Sequence, residues 1–206
     1  MEKTVFELIK LSFFNSKLMF VFHHGDESVD GNYINPELIK DLTENGPRVS
    51  SRLKVVNPKD KSFHLQAGSK DFRTREVNSA LKSWVTNNGG IVSGNLKPDP
   101  LLIAPMIFKK YNKGVKEEME LNNWTPLEAL VHLDQEFLNF WKSQLSLWLI
   151  SSFSSISQDK IILVPCQSPT VEALYNLFFD NVKIKFGLLE GIILVQKPNG
   201  EIIVTK

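Results

Sequence analysis

The sequence predicts an α/β fold built on a largely parallel sheet with one antiparallel edge. Three observations carry that prediction. Segments of strand character alternate with segments of helical periodicity along the chain. Residues 160–164 are almost continuously apolar, the pattern of a strand buried on both faces, as parallel sheets require. Residues 188–195 and 201–204 flank Lys197-Pro198-Asn199-Gly200, a hairpin signal that supplies the antiparallel edge.

The elements follow in order. Residues 2–14 place Val5, Leu8, Ile9 and Phe13 at helical spacing, so an amphipathic helical extension over 1–16 is expected ahead of the sheet. Residues 18–22 form a short β-prone run that enters a loop at His23-His24-Gly25. Thr43 is the expected cap of a helix running to about Lys54. Residues 62–67 read as a second strand, and 71–87 as a helix stopped by Asn88-Gly89-Gly90. Residues 104–121 are expected to be helical despite Gly114. Thr125, with Pro126 in the first turn, is the expected cap of one long helix. Its stripe of Leu127, Leu130, Val131, Phe137, Leu138, Trp141 and Leu145 would face a core. Residues 151–155, mostly serine, read as its frayed end and a loop, and 168–178 as the helix after the buried strand. No linker, repeat or low-complexity segment divides the chain, so residues 1–206 are expected to form one domain.

Composition narrows the function. Of 206 residues, 42% are hydrophobic and 23% charged, a globular balance. A net charge of +1, from 24 basic and 23 acidic side chains, creates no overall field for nucleic acid or an anionic membrane. One cysteine excludes an intramolecular disulfide framework and a zinc site made mostly of thiolates. Four histidines leave a carboxylate–histidine site open by number, but no ligand spacing for one is present. The most apolar stretch, from Val5 to Phe22, is interrupted by Glu7, Lys10, Asn15 and Lys17, and it lacks a small-residue cleavage site. An intracellular chain, cytoplasmic or nuclear, is the expectation.

Three patterns fall where predicted strands end, the edge at which α/β folds place their sites. The first is Phe22-His23-His24-Gly25-Asp26-Glu27, followed later by Asp41-Leu42-Thr43-Glu44-Asn45-Gly46. The second is Ser69-Lys70-Asp71-Phe72-Arg73-Thr74-Arg75-Glu76, opening a helix. The third is Ile161-Ile162-Leu163-Val164-Pro165-Cys166-Gln167, closing the buried strand. In this order the chain resembles the histidine phosphatase superfamily, from about Leu18 to the C-terminal hairpin. That family runs a strand into Arg-His-Gly-Glu, then a Leu-Thr-x-x-Gly helix start and Ser-x-x-x-Arg-x-x-x-Thr on a helix. An acidic residue in a Leu-x-Glu segment and a strand ending in Val-Ser-His-Gly complete it. The resemblance implies a three-layer α/β/α sandwich of phosphoglycerate mutase type.

Residue by residue, the resemblance implies both matches and losses. His24 stands where the family has its nucleophilic histidine, Arg73 where it has a second phosphate-gripping arginine, and residues 42–46 match the helix start. His23 occupies the place of the first arginine, and Ala104 that of the acidic proton donor. Cys166, or Gln167 if an insertion is placed differently, stands where the second histidine belongs. His64 and His132 match no motif. The implied phosphate-binding set is therefore His23, His24, Arg73, Cys166 and Gln167, with Glu128 as a substitute acid.

Those losses have physical weight. Phosphoryl transfer through histidine needs a neutral nitrogen aimed at phosphorus, donors on the equatorial oxygens, and a proton for the leaving oxygen. Arginine supplies a permanently charged bidentate fork that neutral imidazole does not replace. Each lost charge-assisted bond is worth roughly 1.5–3 kcal/mol, and losing the acid removes a further factor of about 10² to 10⁴ in rate.

Each candidate also has a purely structural reading. His23 and His24 read equally as a loop pair, and Arg73 as a helix-face arginine paired with Glu76 or Glu44. Cys166 reads as a small buried hydrophobe rather than a reactive thiol, and nothing in the spacing supports a Cys–His hydrolase. Asp134 is expected to accept a hydrogen bond from the protein, and Glu128 to be a first-turn residue favoured by the helix dipole. Lys109, Lys110 and Lys113 read as a solvated face, and the four tryptophans as core or interface anchors.

The reading is a degenerate, catalytically weak or inactive domain acting as an interaction, scaffold or anion-binding module. The alternatives are an active phosphomonoesterase or phosphomutase working through a phosphohistidine on His24, and a structural subunit of a larger assembly. No cofactor and no metal are expected. The expected ligand is phosphate or a phosphorylated molecule, and the expected partner a protein or a second copy, not a membrane or nucleic acid.

Overall fold

Six strands join one sheet in the order β3-β2-β4-β1-β5-β6. In the computed structural model these are β1 (Lys17–His23), β2 (Ser62–Leu65), β3 (Ile91–Ser93), β4 (Lys160–Cys166), β5 (Gly191–Gln196) and β6 (Ile202–Thr205). The helices are α1 (Pro36–Asn45), α2 (Phe72–Asn87), α3 (Ile107–Asn122), α4 (Pro126–Leu133), α5 (Gln135–Ser155) and α6 (Ser168–Phe179). The structure describes residues 16–24, 35–46, 62–68, 72–94, 102, 107–157, 160–179, 183–187 and 189–205. The expected extension over 1–16 falls almost wholly outside these, as do Gly25, Asp26, Glu27, Ser69, Lys70, Asp71 and Ala104.

Strands β3, β2, β4 and β1 run parallel, and β5 pairs antiparallel with β1. The Lys197–Gly200 turn then returns β6 along β5, with Gly200 at φ 85. This is the parallel sheet with an antiparallel edge that the sequence predicts.

Side-chain alternation gives the sheet two apolar faces. On one, Met19, Val21, Ile162, Val164, Ile192 and Leu194 pack with Leu127 and Leu130 of α4, Trp141, Leu145 and Trp148 of α5, and Val171 and Leu174 of α6. On the other, Phe20, Phe22, Phe63, Leu65, Ile161 and Leu163 pack with Leu42 of α1 and Val77, Leu81 and Trp84 of α2. The result is a three-layer α/β/α sandwich. Among the described residues no helix is long and apolar enough to cross a membrane.

Several expectations need correction. Thr43 does not start a helix: it lies in the last turn of α1, where its hydroxyl donates to the Ile39 carbonyl at 2.7 Å. The start is capped instead by Asn35, whose Oδ1 accepts from Glu37 N–H at 2.9 Å, with Pro36 next. Gly46 ends α1 at φ 74, and a Cβ there would lie 2.5 Å from Trp84 Cε2. So residues 42–46 close a helix, and the packing of α2 onto that corner requires glycine.

The single long helix after Thr125 is two helices. Asp134 ends α4 and caps α5 at φ −161 and ψ 83, its Oδ1 accepting from Phe137 N–H at 2.9 Å. The expected protein hydrogen bond is present, but it belongs to a corner. Residues 151–155 are not frayed, since α5 runs to Ser155, with Ser152 and Phe153 buried. Strand β3 was not expected; three residues are too few to show a period, and it exists by pairing with β2.

Candidate functional site

The carboxyl ends of β1, β4 and β2 lie side by side, and most of the site residues implied by sequence gather there. His23 and Cys166 are register partners across the β1–β4 pair. The next amide, His24 N–H, donates to the Cys166 carbonyl at 2.9 Å. Beyond β2, the Gly68 N–H donates to the Pro165 carbonyl at 3.0 Å. A Cβ on Gly68 would sit 2.3 Å from Cys166 Cβ, so the chain passes hard against the end of β4.

The other side of His23 is held by the entry to β5. His23 N–H donates to the Glu190 carbonyl at 2.9 Å, and Leu189 N–H to the His23 carbonyl at 3.0 Å. Leu189 adopts a left-handed φ of 57 to make this bracket. The His23 and His24 rings lie 5.4 Å apart between centroids, tilted by 48°. His24 is 1% exposed, and both His24 Nε2 and His23 Nδ1 are buried.

Cys166 is fully buried and joins the apolar cluster of Val164, Val21 and Leu174. Burial pushes its thiol pKa well up, which keeps it protonated and a poor nucleophile. Gln167 is half-buried, and its carbonyl accepts the Thr170 and Val171 amides at 3.0 and 3.3 Å. With Pro169 lacking an N–H, the start of α6 retains few amides for an anion.

Arg73 is the second residue of α2, partly buried, beside the buried Thr74. Helix α2 is the element that follows β2 in the chain.

Glu128 is committed elsewhere. Its Oε2 accepts from Thr125 N–H at 2.8 Å while its own N–H donates to Thr125 Oγ1 at 3.1 Å, a reciprocal capping box. The first-turn reading therefore describes Glu128 better than that of a substitute acid. His132 lies edge-on to Trp124 at 5.2 Å, and His64 lies on β2, its pKa lowered by burial and by Lys160. Neither stands at the strand-end cluster.

Two residues escaped the sequence reading. Glu190 brackets His23 through its main chain. Glu172 is a carboxyl group 1% exposed in the first turns of α6, accepting from Ser168 Oγ at 2.6 Å. Nothing local marks Glu172, which reads as an ordinary helix glutamate until α4 packs over it. Among the described residues no group of three or more His, Cys, Asp or Glu gathers to hold a metal ion.

Two imidazoles stand together at one sheet edge, and imidazole N–H groups can donate to the oxygens of a tetrahedral oxyanion. The β4 position that pairs with His23 carries the buried Cys166 thiol.

No family model and no curated protein matches the chain. Solved structures do. A phosphoglycerate mutase from Bacillus anthracis aligns with a TM-score of 0.57 and 10% identity, over 95% of this chain and 94% of that one. A phosphoserine phosphatase mutant from Entamoeba histolytica, in complex with phosphoserine, aligns at 0.47 and 10% identity over 93% and 95%. A mycobacterial glucosyl-3-phosphoglycerate phosphatase aligns at 0.42 and 10% identity over 93% and 97%. The sheet order, the two helical layers and the match along nearly the whole chain agree: this protein has a phosphoglycerate mutase-like fold.

Proposed function

We propose that this chain is a degenerate histidine-phosphatase-like domain that holds an oxyanion at His23, His24 and Arg73 and turns over phosphomonoesters weakly or not at all. One observation carries the reading. The register partner of His23 at the end of β4 is a sealed, protonated thiol, where transfer through histidine calls for an ionisable donor. The engagement of Glu128 in a capping box supports it, since that carboxylate is already bonded to Thr125 N–H.

The interaction half of the reading is supported by α5, which presents Phe140, Leu147 and Ile150 at 54%, 55% and 59% exposure on its outer side. The test is turnover of a generic phosphomonoester by purified protein and by His24→Ala. The reading expects both rates to lie orders of magnitude below a competent phosphatase and to be equal. A robust rate that His24→Ala abolishes would establish the active phosphomonoesterase instead.

A further inference from the structure

From Asn139 to Ser155 every exposed residue of α5 is uncharged. The one charged side chain in that span, Lys142, is half-buried and donates to Asn176 Oδ1 of α6 at 2.8 Å. The exposed serines bond within the helix. Ser143 donates to the Phe140 carbonyl at 2.6 Å, Ser151 to that of Trp148 at 2.9 Å and Ser154 to that of Ile150 at 2.8 Å. Phe140, Leu147 and Ile150 therefore stand on a strip with no charge and no free hydroxyl donor. A solvated helix face ordinarily carries charge, whereas a covered one is depleted of it.

We propose that residues 5–13 of the same chain cover this strip, lying along α5 from Ile150 toward Phe140. The chain enters β1 beside the last turn of α5, where Ser16 is buried and Lys17 Nζ donates to the Phe153 carbonyl. Phe153 is three residues from Ile150, less than one helical turn. Phe13 lies up to about 14 Å from Lys17 along an extended chain, which lets it reach the Ile150 end of the strip.

Residues 5–13 lie outside the described residues, and their sequence supplies the complementary surface. Val5, Leu8, Ile9 and Phe13 share one side at helical spacing, and Lys3, Glu7 and Lys10 fall on the opposite one. As a helix those nine residues span about 14 Å, against about 15 Å from Phe140 to Ile150 on α5. An apolar stripe and an uncharged strip of equal length thus meet where the chain enters the sheet.

Area and tethering favour this occupant over a second copy. Helix α5 has 21 residues. It measures about 31 Å by about 10 Å, so its outer face offers on the order of 300 Å². A stable interface between separate molecules takes roughly 800 Å² from each partner. A segment joined to β1 instead meets α5 at an effective concentration in the millimolar range, so a small apolar face suffices. The inference is independent of the anion-binding reading, and a protein partner on α5 would displace the segment.

A nitroxide on Thr4→Cys in the full chain tests it, since Cys166 is buried and does not take the label. With the segment along α5, Thr4 stands near Phe140. The amide NMR signals of Phe140 and Ser143 are expected to lose most of their intensity and to recover it when the nitroxide is reduced. Those of α2, on the other side of the sheet, are expected to keep theirs. Leu147→Ser, at an exposed position, is expected to release the segment and restore most of the signal at Phe140. Full intensity at Phe140 and Ser143 beside the active nitroxide overturns the proposal, and so does undiminished broadening in Leu147→Ser. Broadening of isotope-labelled protein by an unlabelled copy carrying the nitroxide would place a second copy on the face and overturn it as well. The first comparison decides the matter even if Leu147→Ser fails to fold.

Discussion

His23 of β1 and Cys166 of β4 are register partners on adjacent parallel strands, and the amide that follows His23 donates to the Cys166 carbonyl at 2.9 Å. The pairing puts a histidine and a thiol at the carboxyl ends of adjacent strands. The thiol is buried, and burial raises its pKa.

Cys166 is expected to resist thiol reagents in the native protein. Its modification rate should follow unfolding, rising with denaturant in step with loss of structure, because only the exposed thiolate reacts. Rapid labelling under native conditions would contradict the burial. For the same reason Cys166→His is expected to overpack the end of β4 and cost on the order of 1–3 kcal/mol, read by chemical denaturation. Restoring a histidine there therefore calls for a compensating change at a neighbour.

Gly68→Ala is expected to destabilise the fold by about 1–3 kcal/mol. Its Cβ would meet Cys166 Cβ at 2.3 Å and the Pro165 carbonyl oxygen at 2.6 Å. Cys166→Ser keeps that Cβ and should not rescue it. Urea midpoints for the single and double variants check both statements.

Asp134→Ala is expected to cost about 1 kcal/mol, because it removes the oxygen that accepts Phe137 N–H at the α4–α5 corner. Asp134→Ser, which keeps a capping oxygen, should recover most of it. Neither change should alter anion affinity, since Asp134 is not among the residues of the candidate pocket. Thermal unfolding and calorimetry together provide the check.

Stability should fall as pH rises through neutrality. Burial lifts the Glu172 pKa from its ordinary 4.5 to about 7, so between those values the folded state holds a proton that the unfolded state has released. The stabilisation is complete below about 4.5 and lost as pH rises through about 7, a change on the order of 3 kcal/mol. Glu172→Gln should flatten that slope. Urea unfolding at several pH values measures it, and an equal slope in the variant would show that Glu172 is not its source.

Much of this architecture was legible locally. The apolar run of β4 and the β-prone run of β1 announce themselves, because strands buried on both faces need no alternation. Helices α2 and α6 follow from periodicity and stop signals, and the β5–β6 hairpin from Pro-Asn-Gly turn chemistry. The resemblance along residues 18–205 brought His23, His24 and Cys166 into one expectation, since motifs at strand ends stay together wherever a parallel sheet forms.

What the tertiary structure decided is the set of features whose cause lies far away in sequence. Trp84 makes Gly46 necessary and turns residues 42–46 into the end of a helix. Strand β3 exists through its pairing with β2, and the Asp134 corner folds α4 across the start of α6. Glu190 reaches His23 across the sheet, and Glu172 becomes a proton-holding group through burial between α4 and α6. Periodicity and turn chemistry act over a few residues, so the amino-acid order alone determined β1, β4, α2, α6 and the β5–β6 hairpin. Burial and desolvation act between segments distant in sequence, so only the assembled layers determined which polar groups stand at the strand ends and what charge they carry there.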